Sequence, residues 1–130
     1  MILQTLQHQA AATLLCLLVL PACSKNETTQ AQPEVVIPPA PPGVQQAKVV
    51  VDATGFQPSE VRIEKGKPAS VVFVRTTEST CANEVVFPEL KLEKKLPLNT
   101  PVAIDIPTGE ARTLAFQCGM GMYKSAVVVH

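Results

Sequence analysis

With 130 residues and 11 basic against 11 acidic side chains, the chain carries no net charge. It therefore lacks the one-signed field by which proteins hold nucleic acid. Only two His are present, and no Cys-x-x-Cys pair or paired-carboxylate motif occurs, so neither a Ser-His-Asp set nor other enzyme chemistry is expected.

Residues 10–22 (Ala-Ala-Ala-Thr-Leu-Leu-Cys-Leu-Leu-Val-Leu-Pro-Ala) are apolar and uncharged and end at Cys23. That run is short for a bilayer span and fits the core of a secretory signal. Residues 1–9 hold no Lys or Arg, a departure from the basic opening such signals usually have. Leu20-Pro21-Ala22-Cys23 resembles the lipobox of bacterial lipoproteins, which implies a signal peptide over residues 1–22 and a lipidated Cys23. Of the four Cys, Cys16 then leaves with the signal and Cys23 carries lipid. Cys81 and Cys118 remain, and two thiols in an oxidising compartment either pair or hold something.

Residues 23–47 read as a tether. The segment 24–32 is polar, and Pro38-Pro39-Ala40-Pro41-Pro42 imposes extended polyproline geometry. Such a composition builds no core and predicts an exposed, disordered stretch, with a reach of roughly 70 Å at about 3.1 Å per residue. Val35-Val36-Ile37 is its one apolar interruption.

From Lys48 to His130 the pattern is β throughout. Residues 48–52 hold three successive valines, and Gly55 and Pro58 mark a turn. Val61 and Ile63 alternate with charged neighbours, and Lys65-Gly66-Lys67-Pro68 predicts a hairpin turn. Residues 70–76 are apolar on both faces, as in a central strand. Val85-Val86-Phe87 stops at Pro88, Leu90 and Leu92 alternate with charges, and Val102, Ile104 and Ile106 alternate between Pro101 and Pro107. Residues 113–117 and 126–129 make the last two strands. Seven or so short strands at this spacing predict an all-β sandwich or barrel.

The chemistry lies in Cys118-Gly119-Met120-Gly121-Met122, a thiol and two thioethers at every second position. In an extended segment, side chains at that spacing point the same way. Thiolate and thioether together select soft metals, Cu(I) above all. Leu114 and Phe116 share a strand face with Cys118, so Cys118 is expected to point inward at the strand's end. Cys81 lies in the polar loop of residues 77–83, and the four sulfurs converge if the two loops share an end of the sandwich. Two plainer readings compete: Met120 and Met122 as core filler, and Cys81–Cys118 as an ordinary disulfide that staples an interaction module.

The stretches Gly55-Phe56-x-Pro58, Cys81-x-x-Glu84-Val85-Val86-Phe87-Pro88, Leu96-Pro97-Leu98 and Phe116-x-Cys118-Gly119-Met120-Gly121-Met122-Tyr123 resemble the cupredoxins. More narrowly, they resemble the Cu(I)-binding cupredoxin-like domains of small membrane-tethered copper chaperones and of copper-exporting ATPases. The resemblance covers residues 48–130 and implies a cupredoxin-like Greek-key β-sandwich. It implies Cys81, Cys118, Met120 and Met122 as copper ligands and one or two Cu(I) ions as cargo. Ser125 departs from the glycine many relatives carry there, which affects the turn more than the chemistry. A blue-copper site needs two His and one Cys. His8 and His130 cannot supply them to these loops, so an electron-transfer cupredoxin is disfavoured. Glu84 is either an acceptor beside the ligands, a partial ligand, or a solvated strand-edge carboxylate.

The function implied is that of a non-enzymatic copper chaperone or buffer, lipid-anchored at the bacterial cell envelope and facing the periplasm or exterior. Its partners would be copper ions and a copper-exporting ATPase or other copper acceptor. No nucleic acid is expected, and the membrane is met through the lipid alone.

Overall fold

Strand alternation sorts residues 45–129 into two facing sheets. The computed structural model describes residues 35–130, so the signal peptide, Cys16, Cys23 and the first part of the tether lie outside the described residues. The strands are β1 (Gln45–Asp52), β2 (Gly55–Gln57), β3 (Glu60–Ile63), β4 (Ala69–Arg75), β5 (Glu84–Phe87), β6 (Leu92–Lys95), β7 (Val102–Ile106), β8 (Arg112–Cys118) and β9 (Lys124–Val129). One sheet runs β2-β1-β4-β7 and the other β3-β9-β8-β5-β6, which together form the expected all-β sandwich.

Every second residue of each long strand faces the partner sheet. Val49, Val51, Val71, Phe73, Ile104 and Ile106 from one sheet meet Val61, Ile63, Val85, Phe87, Leu114, Phe116, Val127 and Val129 from the other, all buried. All four Phe of the chain meet at the centre. Phe116 lies edge-on to Phe56 at 5.0 Å and to Phe73 at 5.3 Å, and stacks on Phe87 at 5.1 Å. Edge-to-face pairs at this separation suit the ring quadrupoles and add to the gain from area burial. Strand β4 is buried on both faces, as a central strand must be. On its outer side Ser70 and Val72 share a cavity of about 420 Å³ with Pro38, Pro39 and Pro41.

Three local expectations change. Strand β1 opens at Gln45, inside the stretch read as tether. The Gln45 side-chain amide donates to the Glu64 carbonyl at 2.9 Å and accepts from the Glu64 N–H at 2.8 Å, so a polar residue is fixed without hydrophobic burial. Lys65-Gly66-Lys67-Pro68 is not a hairpin turn: β3 pairs with β9, and β4 with β1 and β7. The turn crosses between sheets, held by Lys65 N–H to the His130 carbonyl and Gly66 N–H to the Thr108 carbonyl, both 2.8 Å. A doubly apolar β4 needs a neighbour on each side, and β3, polar on one face, belongs at an edge. Leu90 lies in a 3₁₀ turn, Pro88–Leu90, rather than a strand. Lys91 then takes φ 51° and starts β6 at Leu92.

Candidate metal centre

Strands β8 and β9 form an antiparallel hairpin in which Cys118 N–H donates to the Tyr123 carbonyl at 3.1 Å. That bond closes the loop of residues 119–122. The loop is not extended: Gly121 N–H returns to the Cys118 carbonyl at 2.8 Å, and Gly121 has φ +69°. Strand alternation therefore ends at Cys118, and the two Met take their positions from a tight turn. Glycine meets the positive φ without steric cost. Met120 and Met122 are both about 70% exposed, at 71% and 69%. The core-filler reading of the two Met is thereby removed.

Cys118 is fully buried beneath Leu114 and Phe116, as the strand register requires. Cys81 is half-buried in the loop before β5 and packs against the core. The two loops do share an end of the sandwich: both thiols are free, and they lie close enough for each to shift the other's titration. Burial pushes the Cys81 thiol up, and the neighbouring Cys118 sulfur with its negative charge pushes it further. Burial also pushes Cys118 up, but backbone N–H groups of Tyr123, Met122 and Met120, together with the Cys81 thiol, outweigh it and hold Cys118 below the ordinary thiol range. Tyr123 N–H reaches the Cys118 sulfur at 3.4 Å. Hydrogen bonds to a charged form favour that form, so Cys118 is the readier thiolate of the two.

Several residues of the quoted stretches support this site through contacts that the sequence does not show. Leu96, buried, donates its N–H to the Asn83 carbonyl at 2.8 Å and accepts from Arg75 Nε at 2.7 Å. These bonds pin the loop that carries Cys81, which explains the Leu96-Pro97-Leu98 stretch in structural terms. Tyr123 donates its hydroxyl to the Ala53 carbonyl at 2.9 Å, and its ring lies over Gly55, where a Cβ would sit 2.9 Å from Cδ1. Gly55, at φ +117°, is thus both a turn residue and a seat for the Tyr123 ring. Glu84 is neither loose nor solvated. Its side chain is 18% exposed, ion-pairs with Lys95, and covers Gly119. The only signal for these contacts was the spread of glycines; nothing in a linear pattern pairs residues this far apart.

Among the described residues, no group of three or more His, Cys, Asp or Glu could hold a metal ion. The donors at this end of the sandwich are sulfur, a set that fits a soft monovalent ion and not a hard divalent one.

A cupredoxin-like domain model matches residues 11–129. Among solved structures, the chain is similar to the metal-binding domain of the Streptococcus pneumoniae Cu(I)-exporting P-type ATPase CopA, determined with Cu(I). The identity is 27% and the TM-score 0.63, over 71% of this chain and 91% of that one. It is similar to a copper-binding protein solved in the apo form by NMR, at 29% identity and TM-score 0.62, over 71% of this chain and 93% of that one. Auracyanin B, at 13% identity and TM-score 0.51 over 73% of this chain and 94% of its own length, shares the fold alone. No curated protein matches. With a family model spanning most of its length and both sheets in place, the chain belongs to the cupredoxin-like domain family.

Proposed function

We propose that this protein binds Cu(I) at the cell envelope as a non-enzymatic carrier or buffer, through Cys81, Cys118, Met120 and Met122. The observation that carries the reading is the meeting of two free thiols beside a loop that bears two exposed thioethers. The two similar domains above, one determined with Cu(I), support it.

The charge arithmetic favours up to two ions. Two thiolates around one Cu(I) leave a net charge of −1, and a second Cu(I) bridging them neutralises it. Thioethers are neutral, weaker donors suited to completing that second shell. Backbone N–H groups already aimed at Cys118 lower the cost of its thiolate, so binding releases protons readily. Because both Met lie at the surface, an acceptor such as a copper-exporting ATPase can approach the ion from the thioether side without unfolding the sandwich. The lipobox-like Cys23 would anchor the carrier to the membrane, with the domain facing the periplasm or exterior.

Anaerobic Cu(I) titration of the reduced protein tests the reading, with metal counted per chain. Replacing Cys81 or Cys118 with Ser is expected to abolish tight binding, and the Met120→Leu/Met122→Leu double variant to keep the fold while losing or weakening the second ion. If the double variant matches wild type in stoichiometry and affinity, the thioethers are not ligands. The same thiol proximity suits a disulfide. In that case the native protein would show no titratable thiols, and each Cys→Ser change would cost about 2–5 kcal/mol of stability.

A further inference from the structure

The loop that carries the thioethers is held by a contact that touches none of the proposed ligands. Glu84 opens β5, and Val85 beside it pairs with Cys118 on β8. The Glu84 side chain crosses the backbone between Cys118 and Met120. A Cβ placed on Gly119 would sit 1.7 Å from Oε1, 2.6 Å from Cδ and 2.8 Å from Cγ. Gly119 has no positive φ to explain it, and a side chain there would have to displace Glu84. The other carboxylate oxygen is held by Lys95, directly across the strand pair on β6. Lys95, Glu84 and Gly119 therefore form a line from the sheet edge to the centre of the loop. Lys95 occupies one carboxylate oxygen, and oxygen is a poor donor to Cu(I), which argues against a ligand role.

We propose that Glu84 is a positioning residue: seated on Gly119 and steadied by Lys95, it sets the turn that presents Met120 and Met122 beside the Cys81–Cys118 pair, and so governs the thioether-supported ion. The metal half of this assignment rests on the Cu(I) reading above; the mechanical half does not.

The test combines Cu(I) titration with backbone order parameters of the apo protein. In Glu84→Ala the second Cu(I) is expected to bind roughly tenfold more weakly, the scale of a lost partner beside metal ligands, while the first is unchanged. Glu84→Gln, which fills the same space over Gly119, recovers most of that loss. Gly119→Ala dislodges Glu84 without replacing it, so it reproduces the loss and adds nothing when combined with Glu84→Ala. In the apo protein, amide order parameters at residues 119–122 fall in Glu84→Ala. A merely structural role would weaken both ions together and would not change their ratio. An unchanged ratio, parallel weakening, failure of Gln to rescue, or additive losses in the double variant each overturn the assignment. If wild type takes up no Cu(I), the proposed function fails, and the order parameters alone then decide the clamp: unchanged values refute it.

Discussion

Cys81 and Cys118 are chemically identical, yet the fold gives them opposite tendencies. Burial pushes Cys81 up, aided by the neighbouring Cys118 charge. Burial is outweighed at Cys118 by the N–H groups of Tyr123, Met122 and Met120 and the Cys81 thiol. In the reduced apo protein the first proton to leave the pair should come from Cys118, as read by ¹³Cβ shifts on titration. The variants should move in opposite directions: Cys118→Ser lowers the Cys81 pKa by removing the neighbouring charge, and Cys81→Ala raises the Cys118 pKa by removing a donor. The linkage to stability has opposite signs as well. The Cys118 contribution is present above the unfolded thiol pKa and lost as pH falls through the folded one. The Cys81 contribution is present below the unfolded pKa and lost as pH rises through the folded one. Equal titration of both Cys in wild type would contradict this asymmetry.

Among the elements, the β8–β9 hairpin and the β1–β2 hairpin are tied together by one side chain. Tyr123 belongs to the first by sequence and reaches the second through Ala53 and Gly55. Asp52 shapes the turn beneath it, accepting from Thr54 N–H at 2.7 Å and Thr54 hydroxyl at 2.6 Å. Two glycine substitutions separate backbone strain from this tie. Gly121→Ala meets a left-handed φ of +69° and only ordinary contact with the Gln117 side chain at 3.8 Å, and should cost about 1–2 kcal/mol in urea unfolding. Gly55→Ala meets φ +117°, outside the left-handed basin, and the Tyr123 ring at 2.9 Å, so it should cost more than Gly121→Ala and also weaken Cu(I) binding. Equal costs would mean that the Tyr123 ring yields freely and does not brace the site.

For the whole molecule, the aromatic cluster and the proposed metal centre share a strand. Phe116 contacts Phe56, Phe73 and Phe87 and stands two residues before Cys118. Phe116→Ala should cost about 3–5 kcal/mol by lost transfer energy and cavity formation. That is a large part of the 5–15 kcal/mol typical of a domain, so the midpoint of thermal unfolding should drop steeply. A loss under about 1 kcal/mol, the scale of an exposed site, would mean that the four rings are not the centre of the core. The membrane expectation also belongs at this scale. Cys23→Ala should move the protein from the membrane fraction to the soluble one; an unchanged distribution after fractionation would remove the lipid anchor from the proposal.

The amino-acid sequence by itself determined the all-β class, the inward face of β8 and the central place of β4. All three follow from alternation and from apolar residues on both faces, which are local properties of a strand. The proposed donor type comes from the sequence too, since sulfur in the pattern Cys-x-Met-x-Met carries its metal preference with it. Tertiary structure alone decided the rest. That Cys81 meets Cys118, that residues 65–68 cross between sheets, and that Glu84 lies on Gly119 under the hold of Lys95 are long-range pairings. Alternation says which face a residue takes but not which strand lies beside it. That choice is made by burial summed over both sheets, and it brings together side chains that no spacing along the chain connects.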